Sequence, residues 1–304
     1  MSKNHEPPRY GGRALRNGVM MVGPGSVAVA VRRPNGEIAS AVEAFHLPSA
    51  WSRNIPFVRG LVSFAGMLKL ARTAGKLEGR LNEGGSRVKA NLPQLAPGIG
   101  AALADRLTRE LSKRSDARLV VPIETVAGVA LPFLAFGLSS RVPGVRELWR
   151  YHGAEHKAVN AAEAGLELTS GNAAAMSRIH PRCGTVFAFW GLLGGTLAKI
   201  YLSSLPSSRR KAVAGALSGP LVLSTAYEAV RLGYRFKDNP IARLLFTPAW
   251  QSQRFTTAEP DEQELEVAVA SLQAVIDYER GAAEARADSD QQPSQSYRRS
   301  VAGG

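Results

Sequence analysis

The 304-residue chain is predicted to be mainly α with a small amino-terminal β unit, a helical membrane-associated protein with two or three apolar helices. Three segments of about 20 residues have the length and apolarity needed to cross a bilayer core. An Asn-Gly pair separates two β-prone runs, a strong local signal for a hairpin. The other periodic stretches repeat at helical spacing. An apolar fraction of 45% excludes a fully disordered chain. The single cysteine, Cys183, rules out an internal disulfide framework and fits a reducing compartment.

Residues 1–10 are polar, without the apolar run of a signal peptide. A small β-hairpin unit is assigned to 11–46, where Val27 to Val31 and Ile38 to Phe45 flank the turn Pro34-Asn35-Gly36. Residues 47–118 are read as amphipathic helices and a connector. Within 56–77, Phe57, Leu61, Phe64 and Leu68 recur at helical spacing among Arg59, Lys69, Arg72 and Lys76, which suits either a helix in the membrane interface or a core-facing one. A second helical stretch is expected near 100–114.

Apolar helices are expected across 119–231, enclosing a polar His/Cys loop at 139–185. The three segments, 119–138, 186–205 and 213–230, carry Glu124, Lys199 and Glu228 as their charges. Such groups must face protein or water, and Lys199 and Arg231 are the expected partners of the two acids. Gly191 with Gly195, and Gly215 with Gly219, are small-xxx-small pairs of the kind that let membrane helices approach. The turn 206–212 makes the last two segments a helical hairpin. Three crossings would place the amino-terminal part and the 139–185 loop on opposite sides, whereas a first segment kinked or re-entrant at Pro122 and Pro132 would not.

A carboxy-terminal amphipathic helical region is assigned to 232–280, irregular over 232–256 and helical over 260–279 with the stripe Leu265, Val269, Leu272, Val275 and Ile276. Residues 281–304 are expected to be a disordered tail.

The formal charge of +13 is unevenly spread. Residues 1–118 hold 19 basic and 8 acidic side chains, and residues 232–304 hold 8 and 11. A basic amino-terminal half suits a polyanion, and membrane lipid is the favoured partner because no nucleic-acid motif accompanies the charge.

Three of the five histidines fall in two clusters. In Tyr151-His152-Gly153-Ala154-Glu155-His156-Lys157, His152 and His156 are one helical turn apart, the spacing two ligands of one ion need. Glu155 lies beside them, giving the inverted His-x-x-Glu-His pattern in which a carboxylate works on water. The second cluster is His180-Pro181-Arg182-Cys183-Gly184, where His and Cys two residues apart can share an ion. His152, His156, His180 and Cys183 are therefore the candidate metal ligands, with zinc the expected divalent ion and Glu155 the candidate catalytic base. Asn160 and Glu163 continue the His156 face as supporting groups or further ligands. His5 and His46 have no such context.

The blocks GGRALRNGVMMVGPGSVAVAVRRPNGEI, YHGAEHKAVNAAEAG, RIHPRCGTVF and PAWQSQRFTTAEPDEQELEVAVASL resemble the YqhQ family, a bacterial family of unknown function, from about Tyr10 to Tyr278. The resemblance implies a multi-spanning inner-membrane protein, predicted to be metal-dependent, with both His blocks on one polar side. His152, Glu155, His156, His180 and Cys183 match its site positions. Family members typically carry another long apolar segment before YHGAEHK, where this chain has only SSRVPGVRELWR at 139–150.

The leading functional expectation is a membrane-bound metal-dependent enzyme of hydrolase type, its site loop at the cytoplasmic face. The first alternative is a non-enzymatic membrane scaffold with a structural zinc site, binding a protein partner through the carboxy-terminal helix. The second, a soluble basic nucleic-acid-binding protein, rests on charge alone.

Overall fold

The computed structural model describes residues 10–45, 54–81, 92–113 and 117–291. His5 and His46 lie outside them, as do residues 292–304. The chain begins with β1 (Gly11–Leu15), β2 (Gly18–Val22), β3 (Ser26–Arg32) and β4 (Ile38–Ala44), an antiparallel meander in sequence order. The expected turn joins β3 to β4, with Gly36 at φ +88°, a conformation that favours glycine.

The sequence of β3 explains how both faces of the sheet are covered. Successive side chains of a strand point to opposite faces, so Val27, Val29 and Val31 line one side and Ala28 and Ala30 the other. The valine face packs with Ala74, Leu77 and Leu81 of α1 (Val58–Leu81). The alanine face leaves room for α4 (Pro143–Glu163) and α9 (Glu262–Gln291), which supply Tyr151, Ala154, Leu265, Leu272 and Val275. The apolar stripe of α9 is thus occupied by the chain's own sheet. That helix continues to Gln291, through the first half of the segment expected to be disordered.

Beneath the sheet run α2 (Leu92–Ser112), α3 (Ala117–Ser139), α6 (Gly184–Ser204) and α7 (Ser208–Arg235). Three helical segments, Val120–Ser139, Gly184–Ser204 and Ser208–Arg235, are long and apolar enough to cross a membrane. Only 28%, 6% and 11% of their apolar windows is buried inside the protein, so most of that surface needs another apolar environment. The first segment is one continuous helix despite Pro122 and Pro132, and not a re-entrant loop.

Helix approach in this layer does not use the expected glycine pairs. Nothing lies within 4 Å of a side-chain position at Gly191, Gly195, Gly215 or Gly219. Close contacts occur instead at Gly100 against Pro132, Gly128 against Thr196, Gly194 against Val222 and Gly60 against Ser224. Adjacent helical positions differ by about 100° in direction, so Gly194 faces α7 while its neighbour Gly195 does not. Lys199 does pair with Glu124, 2.8 Å away, and also with Asp105 of α2. Glu228 pairs with Arg59 of α1, not with Arg231, because α1 lies along α7 there.

The 232–256 region is more regular than expected. It forms α8 (Pro240–Gln251) followed by a short 3₁₀ turn, Ser252–Phe255. Asn239 caps α8 by accepting from the backbone N–H groups of Ile241 and Ala242, and Pro240 supplies a helix-ready φ at the first position. The 139–185 loop is likewise largely helical, comprising α4 and α5 (Ser170–Ala174).

Candidate metal centre

The HGAEHK block lies in the middle of α4, against the sheet on one side and the segment after α8 on the other. Gly153 is what lets that segment close. A side-chain carbon there would stand 2.1 Å from the Ala258 carbonyl oxygen, and Ala258 donates its N–H to the Trp149 carbonyl at 2.8 Å. Gly12 of β1 does the same above the site, where a side-chain carbon would meet the Met20 carbonyl at 2.6 Å and the Glu155 side chain at 2.8 Å.

His152 and His156 are each held by one ring nitrogen. Nδ1 of His152 lies 2.8 Å from the Thr256 carbonyl, and Nδ1 of His156 lies 2.6 Å from the Arg178 carbonyl. A carbonyl oxygen can only accept, so both Nδ1 atoms carry a proton and both Nε2 atoms are turned towards the centre. This is the arrangement by which backbone groups aim metal-binding imidazoles. Cys183 enters from the other side, capping α6 by accepting from the Thr185 N–H at 3.3 Å. Its Sγ lies 3.3 Å from His152 Nε2.

One donor atom each from His152, His156 and Cys183 falls within 4.8 Å of the other two. A tetrahedral Zn²⁺ with ordinary Zn–S and Zn–N bonds would hold S and N roughly 3.5 Å apart, so the donor set suits an ion of that kind. Glu155 Oε2 is 3.9 Å from His152 Nε2 and 3.8 Å from His156 Nε2, facing both nitrogens. A cavity of about 60 Å³ opens on this group, roofed by Tyr10, Gly11 and Gly12.

His180 lines the cavity but stands apart from the three donors. Its Nε2 faces Glu163 Oε2 at 3.4 Å, and its backbone N–H and C=O are both held at 3.0 Å by the fully buried amide of Gln253. Glu163 also pairs with Arg182. Asn160 donates to the Ser177 carbonyl at 2.7 Å and the Ile179 carbonyl at 3.2 Å, fixing the turn that carries His180. Among the described residues, neither Asn160 nor Glu163 belongs to the donor group. Thr256, Arg178 and Gln253 have no sequence signature, since their roles are backbone or long-range contacts.

Arg182 is held by Glu163, by the Tyr10 carbonyl at 2.9 Å and by the ring of Tyr234, 4.5 Å from its guanidinium carbon. Its Nη1 is buried without a hydrogen-bond partner.

Charge is strongly coupled at the centre. Burial disfavours the charged form of His156, but the Cys183 sulfur and then the Glu155 carboxylate outweigh it and raise its pKa from 6.5 to about 9. Burial would raise the Cys183 pKa, and the two imidazoles, His156 foremost, bring it well below that of an ordinary thiol. In the protein alone the pair is a thiolate and an imidazolium.

Fold and donors together define a helical protein with three helices apolar enough to span a membrane and, where one of them starts, a buried His–His–Cys cluster that could hold a metal ion. The chain belongs to the DUF1385 family, described as proteins of unknown function, which matches residues 55–278. It is 27% identical over 326 aligned positions to the uncharacterized protein YqhQ of Bacillus subtilis (strain 168), covering 97% of this chain and 99% of that relative. No solved structure matches it.

Proposed function

We propose that the protein is a membrane-bound, metal-dependent enzyme of hydrolase type working at the cytoplasmic face. The observation that carries this reading is the convergence of two imidazole Nε2 atoms and one sulfur beside a carboxylate. His152, His156 and Cys183 would hold a Zn²⁺-like ion, and three protein ligands leave a position open for water or substrate. The bound ion would lower the pKa of a water towards neutrality and polarise a substrate oxygen. Glu155 would orient that water and take its proton at Oε2.

Metal analysis of the purified protein tests the reading. Wild type is expected to carry one equivalent of metal, and His156→Ala and Cys183→Ser to lose most of it. Glu155→Gln is expected to keep the metal. Metal-free wild type would end the proposal, and loss of metal in Glu155→Gln would make Glu155 a ligand and not a base.

A second reading draws on the 3.3 Å contact between Cys183 Sγ and His152 Nε2: a cysteine nucleophile paired with an imidazole and no metal. Metal-free protein whose Cys183 reacts with a small alkylating agent at neutral pH would favour it. The structural-zinc scaffold needs a fourth protein ligand, and His180 is turned towards Glu163.

A further inference from the structure

Helix α2 is not among the helices apolar enough to be recognised as a membrane span, because its last two turns hold Asp105, Arg106, Arg109 and Glu110. We propose that α2 nevertheless crosses the bilayer as the fourth span, so that two antiparallel hairpins, α2–α3 and α6–α7, carry the sheet and the donor cluster on one side of the membrane.

The first support is register. Gly100 of α2 packs against Pro132 of α3, while Asp105 of α2 shares Lys199 with Glu124 of α3. As numbers rise along α2 they fall along α3, so the helices are antiparallel and begin and end at the same levels. The end of α3 is tied to the site layer through Gly137 against Phe255 and Phe136 against Trp149. The start of α6 is Cys183's cap, and the end of α7 meets that layer where Tyr234 stacks on Arg182. Hence α2 starts at the site level and descends with α6, while α3 and α7 return.

Length agrees. At about 1.5 Å per residue, the 21 residues of α2 rise roughly 31 Å, of which residues 92–104, about 20 Å, precede the first charge and the rest reaches the far headgroup level. Its charged turns fall at the far end, and Asp105 is paired there with Lys199.

The surface agrees as well. Ile99, Leu103 and Leu107 of α2 are 56%, 54% and 42% exposed, while Ala104 of the same helix is buried. These three continue an apolar belt formed by Val126 and Leu134 of α3, Leu197 of α6 and Leu217 and Leu221 of α7. Acyl chains are therefore the occupant that the outer face of α2 shares with the recognised spans. Exposed basic residues lie at the far ends, Lys113 just past α2 and Arg209, Arg210 and Lys211 in the first turn of α7, where long side chains can reach lipid headgroups. On the site side α8 exposes Ile241, Leu244 and Leu245, a face suited to lying along the bilayer surface.

This proposal rests on membrane insertion but not on a bound metal. Single cysteines at exposed positions, added to a chain that keeps the buried Cys183, can be labelled with a membrane-impermeant maleimide in right-side-out and in inverted vesicles, with wild type as background. Lys113→Cys and Ser208→Cys are expected to label in one preparation, and Glu37→Cys and Glu167→Cys in the other. Leu103→Cys is expected to stay unlabelled in both until detergent is added. Labelling of Lys113→Cys in the same preparation as Glu167→Cys would overturn the fourth crossing. So would ready labelling of Leu103→Cys without detergent. The four loop positions are surface sites outside the core, so their folding does not depend on the outcome at Leu103.

Discussion

At the scale of single residues, the donor cluster makes a proton-linked prediction. His156 carries a proton up to about pH 9 in the protein alone, whereas Cys183 has already lost its own. A metal that takes the Nε2 lone pair must displace the His156 proton, so rising pH favours binding. Apparent affinity is expected to climb about tenfold per pH unit from about pH 7 to about pH 9 and then to level off. Chelator-competition titrations would show this, and an affinity independent of pH over that window would remove His156 from the ligand set. The same linkage shapes the stability of the metal-free fold. The raised His156 contributes stability that is full below 6.5 and lost as pH rises through about 9, while the depressed Cys183 contributes stability that is full above 9.0 and lost on acidification. His152, His156 and Cys183 could be read from spacing because metal ligands come in short local patterns. Gly12, Arg178 and Thr256 could not, because their parts depend on which distant backbone arrives beside α4.

At the scale of elements, the packing of α4 against the 256–260 segment depends on one missing side chain. Gly153→Ala would drive a methyl into the Ala258 carbonyl, and overpacking of this kind costs roughly 1–3 kcal/mol. Thermal unfolding in detergent should show the loss, together with weaker metal retention because Thr256 positions His152. A variant as stable as wild type would mean that the segment can move aside without penalty. The elements themselves were unevenly legible. The β3–β4 turn, the start of α9 and the long apolar helices follow from Asn-Gly, from an acidic first turn and from composition. Helix α8 went unseen although Asn239-Pro240 is a capping signal, since its polar surroundings hid the helical period. The true helix contacts, Gly194 with Val222 and Gly128 with Thr196, were hidden because a glycine pair in sequence does not tell which face meets a neighbour.

At the scale of the whole molecule, the helical layer is tied together by charge at the far end of its apolar belt. Lys199 joins three helices by pairing with Asp105 of α2 and Glu124 of α3. Lys199→Met would leave both acids without their cation and is expected to destabilise the detergent-purified protein by about 1 kcal/mol, since Lys199 and Asp105 are half exposed. Adding Asp105→Asn and Glu124→Gln should recover most of the loss. Equal melting of the single and triple variants would show that the network is not what holds α2 in place.

The sheet has a further consequence when the chain is considered in time. Gly25 and Ser26, at the start of β3, are held by Glu279, and Arg32 at its end by Glu266, more than 230 residues later. During synthesis the alanine face therefore has only α4 to cover it until residue 279 has left the ribosome. The roof over the donor cluster, built from Tyr10, Gly11 and Gly12, rests instead on Glu155 of α4 and on Arg182, both made before the last helix. A nascent chain halted before α9 would hold the ligands and their roof beside a sheet still missing one of its covers, so the order of translation closes the sheet last and not the site.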